Sequence, residues 1–358
     1  MGNRTGPDGK TMQGNGNEAT DSGHCRDRLL EISDLSVHFV FKRGTVRAVG
    51  GVSLTVDRGR IVGLVGESGC GKSMTALSIL GLIPSPAGRI AGGTVMFDDR
   101  DLTRLGYPEI CTVRGKEIAM IFQEPMTSLN PVYTVGRQVG EAIRIHECLT
   151  RAEIRDRVIE VFNLVGIPEP ASRLRSYPHQ LSGGLRQRVM IAMAIICEPR
   201  LLIADEPTTA LDTTVQAQIL DLLLGLRERS RTSILLITHD LGVIAEVCDE
   251  VSVMYAGRIM EQGDVFALFD HPAHPYTQGL MRSMPGMAAQ GKKHRLPGIE
   301  GAVPDLMHPP AGCRFHPRCG KAMPVCSQRE PGFFRAGPGH EVRCWLYRSD
   351  GDSEGDGV

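Results

Sequence analysis

The chain has almost no net charge. It carries 40 lysine and arginine residues against 41 aspartate and glutamate residues, for a formal net charge of −1 over 358 residues. A balanced chain produces no overall field that would draw it to nucleic acid or to an anionic membrane. We therefore expect recognition at local sites, and no nucleic-acid partner.

Long apolar runs are also missing, although 41% hydrophobic residues are enough for a buried core. One of the longest runs, VMIAMAII at 189–196, is far shorter than the ~20 residues of a membrane-spanning helix. No hydrophobic signal segment follows Met1, and MGNRTG lacks the Ser or Thr of a myristoylation site. These absences predict a protein that stays in the cytoplasm.

Composition along the chain predicts its boundaries. Residues 1–27 are rich in Gly, Asn, Asp and Thr with little apolar content, which predicts a disordered tail, and 349–358 form an acidic tail. Pro, Gly and His become frequent further on, which predicts an irregular C-terminal extension at 266–348. The intervening part, 28–265, is expected to form the main domain.

The main domain has the pattern of an α/β fold. RIVGLVG at 60–66 has strand length and SMTALSILGLI at 73–83 has helical spacing, with a glycine-rich loop between them. LLIADEP at 201–207 and TSILLITHD at 232–240 are continuous apolar runs that end in polar residues, as parallel strands buried on both faces do. Helical patterns at about 126–195 predict a helical insert. Ligands are expected at the carboxyl ends of the parallel strands.

The strongest motif is that glycine-rich loop. It matches the phosphate-binding pattern G-x-x-x-x-G-K-[ST] and consists of Gly66, Glu67, Ser68, Gly69, Cys70, Gly71, Lys72 and Ser73. Its backbone N–H groups are expected to cradle phosphates, with Lys72 on the outer phosphates and the Ser73 hydroxyl on Mg²⁺. The motif alone leaves the type of nucleotide-binding protein open.

Two carboxylates follow the apolar run at 201–204. Asp205 ends the predicted strand, where it is expected to hold Mg²⁺ through water, and Glu206 is placed to orient and deprotonate an attacking water. Solvated carboxylates at strand ends are common, so the pair gains its meaning from the phosphate loop. Together with the phosphate loop, the pair is predicted to be catalytic.

A second glycine motif opens an apolar helical pattern. Ser182, Gly183 and Gly184 stand at its predicted start, where bare N–H groups favour an anion and glycines allow close approach. The chain therefore carries two candidate phosphate sites, more than a hundred residues apart.

The ordered set of motifs resembles an ATP-binding-cassette (ABC) ATPase over about residues 29–265. The set is GESGCGKS, the Gln in IFQEP, LSGGLRQ, LLIADEP, ALD and the His in THD. The resemblance implies a P-loop NTPase cassette, with a RecA-like core, an antiparallel β subdomain and the helical insert. It also implies ATP hydrolysis with Mg²⁺.

The same resemblance implies a head-to-tail dimer, in which Ser182, Gly183 and Gly184 of one subunit cap ATP held by the phosphate loop of the other. Gln123 is implied to sense Mg²⁺ and water, and His239 to contact the γ-phosphate. These two and Glu206 are the expected catalytic residues.

Two further positions follow from the resemblance. Asp212 is implied to lie at the dimer interface. Phe41 or Phe39 is implied to stack on adenine, and either of them is equally compatible with a place in the core.

The flanking segments resemble the ATPase subunits of bacterial dipeptide and oligopeptide importers. They are IFQEPMTSLNPVYTVGRQVGE, SYPHQLSGG, HPAHPYTQGLMRSMPG and GCRFHPRCGKAMPVC. The resemblance implies a peripheral subunit at the cytoplasmic face of the inner membrane. Its implied partners are a second ABC ATPase, two membrane permease subunits and, indirectly, an extracytoplasmic solute-binding protein.

The cargo stays open among dipeptides, longer peptides, glutathione, opines and nickel chelates. A non-transport ABC ATPase is the alternative class. Such a cassette would be expected to show a long coiled-coil insertion, a tandem cassette or a basic patch, and none is visible in the sequence.

Four cysteines of the extension form a separate candidate site. Cys313, Cys319, Cys326 and Cys344 are separated by five, six and seventeen residues, in a segment poor in apolar residues. This spacing is neither a common zinc pattern nor a ferredoxin run, so it leaves iron–sulfur, zinc, a disulfide and free thiols open. The importer resemblance implies a [4Fe–4S] cluster.

Overall fold

The computed structural model describes residues 27–124, 128–209, 212–284 and 298–349. The predicted tails, apart from Asp27 and Ser349, lie outside these ranges, as do residues 125–127 and the Ala210-Leu211 pair of the ALD motif. Within the described residues, no helix combines the length and apolar character that a bilayer crossing requires.

Twelve strands are described, and they form two sheets. They are β1 (Arg28–Phe41), β2 (Gly44–Asp57), β3 (Ile61–Val65), β4 (Gly88–Phe97), β5 (Arg100–Asp101), β6 (Ile118–Ile121), β7 (Leu201–Asp205), β8 (Ser233–Thr238), β9 (Glu250–Tyr255), β10 (Arg258–Asp264), β11 (Phe334–Gly337) and β12 (His340–Val342).

The larger sheet has the order β11-β12-β10-β9-β3-β8-β7-β6. Strands β9, β3, β8, β7 and β6 pair in parallel, while β10, β12 and β11 add on in antiparallel fashion. All residues of β3, β7 and β8 are buried, which explains why their sequences are continuous apolar runs. The predicted α/β class with a parallel sheet is confirmed.

The smaller sheet is antiparallel, in the order β2-β1-β4-β5. The long strands β1 and β2 pair along nearly their whole length, with several irregularities in register. Their buried side chains, such as Leu30, Val37 and Val52, share one apolar cluster with Leu64 and Ile79 of the P-loop region. This sheet is the antiparallel β subdomain that the resemblance implied.

Ten α-helices are described, most of them packed against the larger sheet or within the insert. They are α1 (Lys72–Ile79), α2 (Tyr107–Val113), α3 (Val135–His146), α4 (Arg151–Leu164), α5 (Pro170–Arg173), α6 (Gly183–Ile195), α7 (Thr213–Ser230), α8 (Leu241–Val247), α9 (Val265–Asp270) and α10 (Pro275–Arg282).

The helices α3 to α6 fall within the predicted insert at about 126–195 and contact one another. Residue Thr150 begins α4 with a capping box, because its hydroxyl accepts from the Glu153 N–H while the Glu153 carboxylate accepts from the Thr150 N–H. Apolar residues such as Val139, Phe162 and Ile191 join these helices to the main core.

The extension is less separate from the cassette than its composition suggests. Strand β12 pairs with β10 and β11 pairs with β12, so the extension lengthens the core sheet at one edge. Phe315 and two of the cysteines, Cys313 and Cys326, belong to the main apolar core. A segment poor in apolar residues therefore folds by packing its few apolar side chains against the cassette.

Candidate active site

The phosphate loop, residues 66–73, connects the end of β3 to the start of α1. Gly71 has φ 107°, and a Cβ there would lie 2.5 Å from the carbonyl oxygen of Ala48. Gly69 has φ 78°, and a Cβ there would meet nothing within 4 Å. Glycine is required at position 71 because the backbone of Ala48 approaches closely. At position 69 it is required because the backbone has a left-handed conformation.

Lys72 is buried at the inner side of this loop. Its ammonium donates to the carbonyl oxygens of Gly66 at 2.8 Å and Glu67 at 3.2 Å. These bonds hold the charge inside the loop, and the phosphates of a nucleotide would be stronger, charged acceptors for it. Lys72 thus lies where the motif predicts a phosphate-binding cation.

Asp205, at the end of β7, has a buried carboxylate with one oxygen that is unpaired in the described part of the chain. Its side chain accepts a hydrogen bond from Ser73, and burial raises its pKa above the usual value although that bond opposes the rise. The residue is 3% exposed, and its Oδ1 atom is buried with no hydrogen-bond partner among the described residues. An orphaned carboxylate oxygen beside a serine hydroxyl fits the hard-oxygen ligation of Mg²⁺.

Glu206 has polar groups from three segments around its carboxylate. Its Oε2 atom accepts from Gln123 Nε2 at 3.0 Å and from Thr209 Oγ1 at 2.8 Å. His239 Nδ1 lies 3.4 Å from Oε1. The Glu206 side chain is 14% exposed and that of His239 is 62% exposed. One carboxylate oxygen, Oε2, is therefore hydrogen-bonded to Gln123 and Thr209, while the other, Oε1, lies beside the exposed histidine.

The backbone of Glu206 is also constrained. Its φ of 48° lies in the left-handed region, which non-glycine residues seldom adopt. The Glu206 N–H donates to the carbonyl of Ile237 at 2.8 Å, which ties this turn to the end of β8. Strain of this kind persists where surrounding contacts enforce it, and it is concentrated at functional sites.

The second glycine motif lies at the N-terminus of α6. Ser182 caps the helix, because its Oγ accepts from the Leu185 N–H at 3.4 Å. Ser182 and Gly183 are exposed, and a Cβ on Gly183 would meet nothing within 4 Å. We call residues 181–184 the signature loop. It presents N–H groups at a helix start to the outside of the chain.

Helix α6, which follows the signature loop, is hydrogen-bonded to the segment that follows Glu206. Gln187 is buried, and its Nε2 donates to the carbonyl of Pro207 at 2.6 Å. Asp212 caps α7 by accepting from the Val215 N–H at 2.9 Å, and the Val215 side chain lies beside Gly184. Asp212 is exposed and stands next to the signature loop, although its neighbours Ala210 and Leu211 lie outside the described residues.

Phe41, at the end of β1, is 51% exposed. Its ring is stacked almost parallel to that of Phe39, with centroids 6.4 Å apart. Phe41 is open to solvent, whereas Phe39 is half-buried against the apolar cluster of the smaller sheet. The choice between the two as the adenine-binding ring stays a prediction.

The four extension cysteines are all free thiols. Burial raises the pKa of Cys313 to about 12 and that of Cys344 to about 11, and the charges of neighbouring cysteines add to both increases. The described residues contain no group of three or more His, Cys, Asp or Glu side chains placed to hold a metal ion. The iron–sulfur cluster therefore stays a prediction.

Sequence reasoning missed several residues of this site. Thr209 stands three residues after Glu206, two positions beyond LLIADEP, and a hydroxyl donor so near a predicted catalytic carboxylate was the available signal. Gln187 gave no comparable signal, because its contact with Pro207 joins positions 20 residues apart.

The phosphate loop follows β3, and Asp205 and Glu206 lie at the end of β7 in the same parallel sheet. This arrangement, together with the exposed signature loop at the start of α6, is that of an ABC-type cassette. Comparison with known proteins agrees. The family model for ABC transporters matches residues 49–209, and the model for the oligopeptide/dipeptide transporter C-terminal region matches residues 260–326.

Individual relatives cover most of the chain. A probable peptide ABC transporter ATP-binding protein of Sinorhizobium fredii is 53% identical over 89% of this chain and 95% of its own length. The dipeptide transport ATP-binding protein DppD of Escherichia coli is 50% identical over 88% of this chain and 96% of its own length. The chain therefore belongs to the ATP-binding proteins of the oligopeptide and dipeptide ABC transporter family, and it is an ATPase of the ABC type.

A solved structure supports the fold. The ATP-binding cassette MJ0796, in a dimeric post-hydrolysis state with ADP and phosphate, is 26% identical with a TM-score of 0.61. The match covers 66% of this chain and 99% of that protein.

Proposed function

We propose that this chain hydrolyses ATP to energise the import of di- or oligopeptides through a membrane transporter. The carrying observation is the arrangement around Glu206, where Gln123, Thr209 and His239 hold one carboxylate beside the phosphate loop. The peptide cargo is supported by relatives whose names describe peptide and dipeptide transport. The match of residues 260–326 to the family's C-terminal region supports it as well.

Each residue has a defined part in the proposed reaction. The loop N–H groups and the Lys72 ammonium bind the phosphates of ATP. Ser73, Asp205 and Gln123 would hold Mg²⁺, which when bound neutralises phosphate charge. Glu206 accepts the proton of the water that attacks the γ-phosphorus, and the products are ADP and phosphate. His239 contacts the γ-phosphate, and its position opposite Glu206 Oε1 lets it orient the reacting group.

The signature loop has its part in a second subunit. Its exposed helix N-terminus is suited to cap the γ-phosphate held by the phosphate loop of another cassette, with Asp212 at the same interface. The second cassette is either another copy of this chain or a different ATPase. Two permease subunits carry the cargo across the membrane, a solute-binding protein delivers it, and this chain docks peripherally at the cytoplasmic face.

The proposed base and transport role are tested together by Glu206→Gln. This change keeps the size and the hydrogen-bonding ability of the side chain but removes the proton acceptor. In liposomes that contain a peptide permease pair, peptide uptake driven by ATP should cease while ATP-dependent dimers accumulate. Glu228→Gln, the same change at an exposed glutamate near the C-terminal end of α7, serves as a matched control. Continued uptake by the Glu206→Gln transporter would contradict the assignment.

We also propose that the four extension cysteines hold an iron–sulfur cluster. Four thiols are the donor set of a [4Fe–4S] cluster, and each of Cys313, Cys319 and Cys344 is close enough to another cysteine for their charges to interact. Binding requires these thiols to draw closer together, since they do not form a ready ligand group.

Anaerobic purification tests the cluster directly. The expected result is a brown protein with about four iron and four sulfide ions per chain, reduced in Cys319→Ser and retained in Cys197→Ser, which lies outside the extension. Colourless protein with stoichiometric zinc, or with no metal, would refute the cluster and leave the ATPase proposal untouched.

A further inference from the structure

The C-terminal extension contacts the phosphate loop at Glu67. Arg318, in the segment between Cys313 and Cys319, forms a bidentate ion pair with Glu67, the second residue of the loop. Its two terminal nitrogens lie 2.7 and 3.2 Å from the two carboxylate oxygens of Glu67. The Arg318 side chain is 6% exposed, and the fork-to-fork geometry fixes both position and orientation.

The remaining donors of Arg318 are anchored within the extension and the core. The guanidinium donates to the carbonyls of Ile299 at 3.1 Å and Glu300 at 2.9 Å, and to the Tyr255 hydroxyl at 3.3 Å. Hydrogen bonding to Glu67 raises the pKa of Arg318 above its usual range. Because the guanidinium is fixed by several hydrogen bonds, it restricts the position of Glu67 and thereby of the phosphate loop.

Tyr276 supplies a second contact with the same loop residue. The backbone N–H of Glu67 donates to the Tyr276 hydroxyl at 2.9 Å, so this amide is directed to the extension. Tyr276 is fully buried, and its ring packs against Tyr255 and Phe315 at centroid distances of 4.6 and 5.4 Å. Both ends of Glu67 are thereby fixed by residues of the extension.

A third connection reaches the middle of the loop. Arg314 donates to the carbonyl of Ala256 in the turn between β9 and β10. The next residue in that turn, Gly257, donates its N–H to the carbonyl of Cys70 at 2.8 Å. The segment between Cys313 and Cys319 therefore supports the phosphate loop along two separate paths.

The contacts described above for Arg318, Tyr276 and Arg314 do not include Glu206. Their contacts all lie on the loop that receives the phosphates. A loop held in its binding shape before ATP arrives loses less conformational entropy on binding.

We infer that Arg318, with Tyr276, is a positioning residue that holds the phosphate loop in its ATP-binding shape, so that the C-terminal extension raises the affinity for the nucleotide. The inference depends on ATP binding to the phosphate loop, which the wild-type affinity tests by itself. Removing the ion pair should weaken ATP binding and leave the rate of the bound complex nearly unchanged.

The test uses the full-length chain with Mg²⁺ and a fluorescent ATP analogue, together with steady-state hydrolysis. Arg318→Ala should raise the Kd and the KM for ATP by roughly tenfold, a size typical of losing one strong polar contact, with kcat changed less than about twofold. Arg318→Lys should recover part of the affinity, because a lysine keeps the charge but loses the fork.

Tyr276→Phe is the second variant, because it removes only the hydroxyl and keeps the ring in its packing site. It should raise the Kd several-fold with no large loss of thermal stability. Arg335→Ala removes an exposed arginine on β11 of the same extension and should leave Kd, KM and kcat at wild-type values.

A double-mutant cycle separates positioning from general damage. Glu67→Gln should weaken binding in the wild-type background and add little in the Arg318→Ala background, since the two residues share one interaction. Wild-type ATP affinity in both Arg318→Ala and Tyr276→Phe would overturn the inference. So would a loss confined to kcat. Neither outcome would affect the assignment of Glu206 as the base.

Discussion

The two candidate phosphate-binding elements of this chain are built in opposite ways. The phosphate loop is enclosed, with Lys72 buried and hydrogen-bonded inside it and with Arg318 and Tyr276 fixing Glu67 from behind. The signature loop is exposed, and the hydroxyl of Ser182 only caps its own helix. One element is a finished binding surface, and the other offers donors to something outside the chain.

Under the proposed function, this contrast explains why one chain carries two candidate anion sites. A preorganised loop can bind nucleotide within a single subunit, because its shape is maintained before the ligand arrives. An exposed helix start binds an anion well only when the anion is brought to it and water is excluded. ATP held on the first element of one cassette and covered by the second element of another satisfies both.

The largest predicted effect separates the two elements. Lys72→Ala should abolish ATP binding by single chains, whereas Gly183→Asp should leave that binding intact, and each should lower hydrolysis at least ~10²-fold. The new carboxylate repels a phosphate, while the fold accepts it because the Cβ of residue 183 meets open space. Measuring the Kd for ATP beside kcat distinguishes the two failures.

Gly225→Asp is the matched control for that substitution. Gly225 lies in helix α7, and a Cβ there also meets nothing within 4 Å. Wild-type hydrolysis is expected. If Gly183→Asp were as active as this control, the signature loop would have no contact with nucleotide in the reacting complex.

A smaller effect concerns the link between the two elements. Gln187→Leu removes the donor to the Pro207 carbonyl and leaves a buried acceptor unpaired, which should lower the free energy of unfolding by about 1–3 kcal/mol. Gln218→Leu removes an exposed acceptor of Arg188 and should cost much less. Chemical denaturation measures the free energy of unfolding of both variants. Equal losses would show that the buried Gln187 bond stabilises the fold no more than the exposed Gln218 bond does.

The smallest effect is a pH dependence in the support of the phosphate loop. Burial lowers the pKa of His274 from 6.5 to about 4, although the charge of Glu261 opposes this, and its Nδ1 accepts from the Tyr276 N–H at 3.0 Å. The unfolded state takes up a proton at higher pH than the folded state. Stability is therefore complete above the unfolded pKa and falls as the pH drops from 6.5 towards 4.

Between pH 7 and about pH 5.5, protonation of His274 in the unfolded state should lower the free energy of unfolding by roughly 1 kcal/mol. His274→Asn keeps a capping acceptor for α10 without a titrating ring, so its stability should fall less between pH 7 and pH 5.5 than that of the wild type. Thermal unfolding midpoints at the two pH values provide the measurement. Identical pH profiles would assign the acid sensitivity to other groups.

The sequence was sufficient for elements with local patterns. The continuous apolar runs of β3, β7 and β8 predicted buried parallel strands, and the motif positions of Asp205 and Glu206 lie at the sheet edge where such strands end. These predictions succeed because each depends on burial or on backbone geometry within a few residues.

Contacts between distant segments could not be predicted in this way. Arg318 and Glu67 are 251 positions apart, and nothing in HPRC indicates that its arginine reaches the phosphate loop. The pairing of β12 with β10 was equally hidden, because HEV is too short and polar for a strand prediction. The extension was therefore predicted to be irregular, whereas it lengthens the core sheet and contacts Glu67 of the phosphate loop.

The most direct test of hydrolysis between two chains is complementation between inactive variants. Lys72→Ala chains keep an intact signature loop, and Gly183→Asp chains keep an intact phosphate loop, so a mixed dimer contains one complete composite site. Under conditions in which wild-type chains hydrolyse ATP by themselves, mixing the two inactive proteins should restore ATPase activity. No recovery in mixtures that demonstrably form mixed dimers would contradict the composite site.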